Sequence, residues 1–300
     1  MGRKFSRCRN PPGQASSYRH FSHLAKEGSF SAVESAHYGL SWAQKVAGLP
    51  VPTAHTLPTL AKEGIRRRLG RPIRKKKLPL SCEILSKLAR KAATSGTLFD
   101  LRLAAMGCLA FGGFLRYSDL SSPRVCDLPF GPDHVDVIIR KSKTDVYSKS
   151  QKVLVAASGK LSCPVTSRRM YFDKAGLKTI ESEDFVFKAI RGTGSRAKLA
   201  PENKPLSYTK AREILKAALK ELGYDETQYG LHSLRIGGAS SAARSGVDHS
   251  LLAVHGRWRT EHAKDLYVRY SDSERRKVLL LTGVRVPTSA PTFWVSRTCH

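Results

Sequence analysis

Residues 103–115 pass 13 positions without a charged side chain, and the apolar stretch reaches back to Leu98 with only Asp100 and Arg102 interrupting it. A helix that is apolar on nearly every face has to lie inside a core. Thirteen residues also fall short of the roughly 18 that cross a bilayer. The stretch therefore predicts one buried helix over 98–115, around which other elements must pack. It runs straight into Arg116, whose charge is costly there unless the side chain points into a polar site.

The neighbouring patterns supply the packing partners. Ser81 is placed to cap a helix over 82–93. Val135, Val137 and Ile139 alternate with Asp136, Ile138 and Arg140, and Val153 and Val155 repeat the alternation. Two short strands joined by a polar loop over 141–152 follow from this. Further helices are predicted at about 209–222, 233–245, 248–255, 261–270 and 272–281. Before the apolar run, residues 18–26 and 33–46 read as short helices, the second capped by Ser31 and ending near Gly48 and Pro50. A third begins after Thr53, and residues 1–17 read as irregular. The fold class is mainly α with a small antiparallel β-hairpin, an α+β arrangement. A small all-helical domain over 1–77 precedes a larger domain over 78–284, and residues 285–300 carry no assignable pattern.

Charge narrows the partners. The 300 residues hold 52 Lys and Arg against 24 Asp and Glu, a net charge of +28 and an isoelectric point near 10.2. Such a surface meets a polyanion, nucleic acid first and an anionic membrane second; the short apolar run counts against the membrane. Residues 1–77 alone hold 16 basic and 3 acidic residues. The densest part is Arg66, Arg67, Arg68, Arg71, Arg74, Lys75, Lys76 and Lys77, interrupted by Gly70 and Pro72. Gly and Pro argue for an extended basic linker, read as a solvated hinge, a strand laid on DNA phosphates, or a nuclear import signal. The six cysteines are scattered, with no C-x-x-C pair. They are expected as reduced intracellular thiols, with no metal site. No secretory signal is read in the first ten residues.

His232 and Arg235 are spaced to share one face at the start of a helix, where the dipole is positive. Such a face suits an anionic centre with one titratable group, such as a phosphate under attack. Gly256-Arg257-Trp258 follows, then Tyr267. Upstream, the run L-R-Y-S-D-L carries Arg116 and Asp119, and Lys143 lies in the loop between the two strands. Tyr270 is one helical turn from Tyr267 and competes with it for the same face. His255 reads as packing or backbone support.

In this order, Arg116, Lys143, His232, Arg235, Trp258 and Tyr267 resemble the tyrosine recombinase (phage integrase) family. L-R-Y-S-D-L looks like its first arginine box, with Asp119 in the place of the usual acidic residue. H-S-L-R-I-G-G-A-S, G-R-W and Y-V-R look most like the DIRS-like recombinases of eukaryotic retroelements. The resemblance covers about residues 18–284. It implies a helical core-binding domain and a catalytic domain clamping double-stranded DNA, a tetramer synapsing two sites and no cofactor; the basic run, read as an import signal, adds the expectation of a nuclear location. It further implies attack by Tyr267 to give a 3′-phosphotyrosyl bond and a free 5′-hydroxyl, then rejoining without ATP. The helix over 272–281 would dock on a neighbouring subunit or fold into its own core.

The chemistry is consistent with these roles. A tyrosine with its ordinary pKa near 10 is ionised about one time in a thousand at neutral pH. Its proton must be removed and the phosphate's charge offset. Arg116 and Arg235 present planar forks that stay charged, Trp258 donates one N–H, and Lys143 and His232 serve proton transfer. Two alternatives stand beside this reading: a type IB topoisomerase, and a non-catalytic DNA-binding protein descended from a mobile element.

Overall fold

The computed structural model describes residues 14–70, 76–140, 150–177, 181–270 and Glu274. The chain divides into two compact units, Met1–Lys75 and Lys76–His300.

In the first unit, α1 (Gln14–Glu27), α2 (Phe30–Val46) and α3 (Thr56–Leu69) close on Phe21, Ala25, Phe30, Val33 and Ile65. Ser29, not Ser31, occupies the position before α2. The basic run departs from the expected linker. Arg66, Arg67 and Arg68 are exposed on the last turn of α3, and the helix ends only at Gly70, where φ is +63°. Arginine is a good helix former, and cations in a last turn face the negative end of the helix dipole. Nothing breaks the helix until a residue free to take positive φ arrives. Lys76 and Lys77 are exposed and lie outside any helix or strand; Arg71, Arg74 and Lys75 lie outside the described residues.

The second unit is built on α5 (Leu98–Gly112), in which Leu101, Ala105, Cys108 and Leu109 are all buried. It packs against α4 (Cys82–Ser95), whose first turn is closed by Ser81 Oγ accepting from the Ile84 amide at 3.2 Å. α5 stops three residues before the expected end. The chain turns through Gly113 and Phe114, so that Arg116 is the residue before α6 (Tyr117–Ser121) and not the end of the buried helix. The reason is local: Gly112 and Gly113 together weaken the helix, and Asp119 accepts the Arg116 amide at 3.1 Å to start a new one.

β1 (His134–Ile139) and β2 (Gln151–Ala156) pair antiparallel, with Val135 opposite Val155 and Val137 opposite Val153. Those four valines and Ile139 are buried on the face towards α5 and α7 (Pro164–Ala175). α7 is not among the expected helices, although Pro164 at its first position and Gly176 past its last follow the usual asymmetry. The two-residue ladder of β3 (Ile190–Arg191) and β4 (Lys198–Leu199) is likewise not among the expected strands. α8 (Tyr208–Glu221), α9 (His232–Arg244) and α10 (His249–Gly256) stand within a residue of their expected starts. α11 (Glu261–Asp265) is half its expected length, leaving Tyr267 in the turn that follows. Lys143 and the residues expected to form a helix over 272–281, Glu274 apart, lie outside the described residues.

The architecture is mainly helical with small antiparallel sheets, and a helical region precedes the larger unit. Among the described residues no helix is long and apolar enough to cross a membrane. α9 lies unusually close to two stretches of backbone: a Cβ on Gly237 would stand 2.0 Å from the carbonyl oxygen of Leu80, just ahead of α4, and one on Gly238 2.0 Å from that of Phe111 on α5.

Candidate active site

The segment ahead of α4 holds the start of α9. The amides of Leu78 and Leu80 donate to the carbonyls of Gln228 and Ser233 at 2.8 and 2.9 Å, fixing the turn that presents His232. Arg235, one turn further, is fully buried. Its Nη1 donates to the Phe114 carbonyl, and its Nη2 to the Gly256 carbonyl at 2.7 Å. Both carbonyls belong to sharp corners. Phe114 (φ +45°) and Arg257 (φ +57°) are the two non-glycine residues of positive φ among the described residues. Left-handed backbone costs about 1–3 kcal/mol at such positions. Here it aims two carbonyls at one guanidinium and delivers Arg116 and Trp258 from the same corners. His255 braces the first corner, donating from Nε2 to Gly112 at 2.8 Å and meeting the Phe114 ring edge-on at 4.6 Å.

Tyr267 closes the arrangement. Its ring centroid lies 5.0 Å from that of His232 and 5.1 Å from that of Trp258. The Arg235 guanidinium carbon sits 4.7 Å from the Tyr267 ring and 4.9 Å from the Trp258 ring. Ser240 pins the backbone here: its Oγ donates to the Tyr267 carbonyl at 3.2 Å and accepts the Arg269 amide at 3.0 Å. Tyr270 is left 48% exposed and outside the cluster. The structure thus brings together Arg116, His232, Arg235, Trp258 and Tyr267, five of the six residues expected from the sequence.

Three members of the cluster escaped the sequence analysis in this role. Asp119 is fully buried and accepts from Arg257 Nη2 at 2.8 Å. Arg269 stands close enough to depress the basicity of His232. Arg257 was visible inside Gly256-Arg257-Trp258, but no local pattern announces that its backbone will turn left-handed and bring it back to Asp119.

The electrostatics are lopsided. Arg235, Arg116 and Arg269 act on His232, and Arg257 acts on Arg235, with Asp119 as the carboxylate counterpart of Arg257 and Arg116. Burial and then the Arg116 charge pull the Arg235 pKa down to about 10, against an opposing pull from Tyr267. Arg257 is lowered by burial as well, with Asp119 opposing. His232 is exposed as a residue, yet partial desolvation, then Arg235, Arg116 and Arg269, hold its pKa below the usual value. Arg116 Nη1, Arg235 Nε, Arg257 Nε and Nη1, Trp258 Nε1 and Arg269 Nε are all buried without a hydrogen-bond acceptor. Buried donors left unpaired each cost about 1–3 kcal/mol. A converging set of them, all cationic or N–H, forms a cradle for an anion with several oxygens.

The profile of the phage integrase family matches residues 83–274, a span that contains every member of this cluster. The chain belongs to the phage integrase family. An integrase/recombinase XerD homologue of Selenomonas ruminantium is 27% identical over 218 residues, covering 72% of this chain and 61% of that protein. The chain therefore spans less than two thirds of the length of that curated relative. Among solved structures, XerA recombinase superposes with a TM-score of 0.51 at 16% identity, covering 93% of this chain and 87% of that one. XerH site-specific recombinase bound to a palindromic difH substrate gives 0.57 at 11% identity, covering 90% and 70%. The Tn1549 transposon integrase with transposon right end DNA gives 0.57 at 13% identity, covering 90% and 85%. At these identities the likeness shows that the phage integrase fold is shared.

Proposed function

We propose that this phage integrase cleaves and rejoins DNA strands through a covalent bond to Tyr267, in site-specific recombination or integration. The observation that carries the reading is the Tyr267 ring packed against Arg235, His232 and Trp258 amid the buried, unpaired N–H donors. Tyr267 Oη attacks the phosphorus, the bond to the 5′ oxygen breaks, and a 3′-phosphotyrosyl ester forms. His232, whose pKa burial and then its cationic neighbours hold below the usual value, accepts the phenolic proton. Arg116 and Arg235 each hold N–H groups in reserve for the non-bridging oxygens, since a guanidinium carries five. Because Arg235 lies beneath the Tyr267 and Trp258 rings, phosphate entry requires the Tyr267 ring to swing aside. Lys143 is assigned the proton for the departing 5′ oxygen. Attack by that 5′-hydroxyl on the phosphotyrosyl ester reverses the chemistry and rejoins a strand.

In this reading residues 1–77 form the core-binding domain and 78–284 the catalytic domain, clamping double-stranded DNA as part of a homotetramer. Arg66, Arg67, Arg68, Arg71, Arg74, Lys75, Lys76 and Lys77 contact its phosphates. The narrower affinity to eukaryotic DIRS-like recombinases rests on the run from His232 to Ser240 with G-R-W and Y-V-R, whereas the curated relative is bacterial. The nuclear location rests on the basic run alone.

Covalent trapping tests the proposal. The protein is incubated with a randomised pool of nicked duplexes without divalent metal, denatured, and any DNA-linked peptide sequenced. The expected adduct is at Tyr267, lost in Tyr267→Phe and kept in Tyr270→Phe. An adduct at Tyr270 overturns the residue assignment. No adduct, with salt-sensitive DNA binding intact, replaces the enzyme with a mobile-element-derived DNA-binding protein. Plasmid relaxation without strand exchange replaces it with a topoisomerase.

A further inference from the structure

We propose that Arg257 is a positioning residue that occupies Asp119 and so leaves Arg116 free for the phosphate. The inference rests on the recombinase reading of the same site and adds a residue to it.

A buried carboxylate needs a cationic or hydrogen-bonding partner. Asp119, with no exposed surface, has two guanidiniums in reach of a single oxygen. Arg257 Nη2 stands 2.8 Å from Oδ2, and Arg116 Nη1 stands 3.9 Å from that oxygen. The first is a charge-assisted hydrogen bond and the second is too long for one. Oδ2 also takes the Arg116 amide at 3.1 Å, and Oδ1 takes the Ser118 hydroxyl at 3.3 Å. The carboxylate thus accepts three hydrogen bonds, its charge is met by Arg257, and Arg116 Nη1 stays buried without an acceptor.

Remove Arg257, and the nearest cation for that carboxylate is Arg116. The pair that would form has two faults for phosphate chemistry. It turns the Arg116 fork towards Asp119, and it removes one unit of positive charge beside the place where an anion must bind. The backbone supports this division of labour. Arg257 is left-handed, with φ +57°, at a position where glycine or asparagine is relaxed. A large side chain held there against that strain points to a use for its guanidinium, and the left-handed turn is what carries it from the end of α10 to Asp119.

Two readouts test the proposal on the full chain: binding of inorganic phosphate at constant ionic strength, and the rate of adduct formation with the nicked-duplex pool. Arg257→Gln is expected to weaken both by about tenfold or more, the scale of one charge-assisted hydrogen bond. Two further variants separate positioning from mere stabilisation. Arg257→Gln with Asp119→Asn should recover most of the loss, because no carboxylate remains to capture Arg116. Arg257→Gln added to Arg116→Gln should do little more than Arg116→Gln alone, since the effect passes through Arg116. A double Arg257/Asp119 variant no better than the single, full additivity with Arg116→Gln, or an Arg257→Gln protein with unaltered phosphate affinity would each overturn the proposal. Absence of phosphate binding by the unmodified protein overturns it too. Phosphate binding without any adduct removes the recombinase reading instead, and the ranking of phosphate affinities still decides the role of Arg257.

Discussion

Arg235 donates to two backbone carbonyls and keeps further N–H groups unpaired while fully buried. A lysine could keep the charge but not bridge Phe114 and Gly256 from one planar group. Arg235→Lys is expected to cost about 2.7–4 kcal/mol of transition-state stabilisation, a loss of roughly 100- to 1,000-fold in adduct rate, measured against the unmodified protein. Histidines make a second prediction at this scale. His37, His232 and His255 all have pKa values below the ordinary 6.5, each chiefly through burial. Above that value both folded and unfolded forms are neutral and nothing is lost. As pH falls below it the unfolded chain binds protons that the folded chain resists, so stability declines. Melting temperature should drop between about pH 7 and pH 5, and His255→Gln should flatten part of that decline. A melting temperature that rises over the same interval would sink the argument.

At the scale of elements, the active site is a consequence of how closely α9 lies on α5. A methyl group on Gly238 would meet the Phe111 carbonyl at 2.0 Å and the Phe114 ring at 2.9 Å. Neither is the far end of a flexible side chain, so the helices must part. Gly238→Ala is expected to destabilise the protein by about 1–3 kcal/mol in urea unfolding. It should also slow adduct formation, because the Phe114 corner that holds Arg235 is what moves. The sequence disclosed α9 by its length and its start, and disclosed α4 and the hairpin through Ser81 and the alternating valines. It misplaced the ends of α5 and α11. The causes differ: Gly112 and Gly113 end α5 inside a run that stays apolar to Leu115, whereas residues 266–270 stay helix-compatible and the backbone leaves the helix to bring Tyr267 to the cluster.

For the whole molecule the governing quantity is the net charge of +28. If Lys and Arg neutralise DNA phosphates, counterions are released and affinity falls steeply with salt. Between about 50 and 200 mM salt the loss should reach about 10³-fold or more if six or more phosphates are contacted. Arg66, Arg67 and Arg68 stand exposed on the last turn of α3. Replacing all three by glutamine is expected to reduce the slope of log affinity against log salt by about 2–3 in a fluorescence titration. An unchanged slope would remove α3 from the DNA-contacting surface.

Sequence alone determined the elements whose signals are local: a buried helix forced by an uninterrupted apolar run, a hairpin forced by alternation, caps, and the order Arg116, His232, Arg235, Trp258, Tyr267. Each of these depends on neighbours within a few positions, which is where propensity and periodicity act. Tertiary structure decided which of two tyrosines joins the cluster, which arginine answers Asp119, and which donors are left waiting for an anion. Those outcomes depend on contacts between residues on different elements, 138 positions apart for Arg257 and Asp119, and on two left-handed corners that no local pattern specifies.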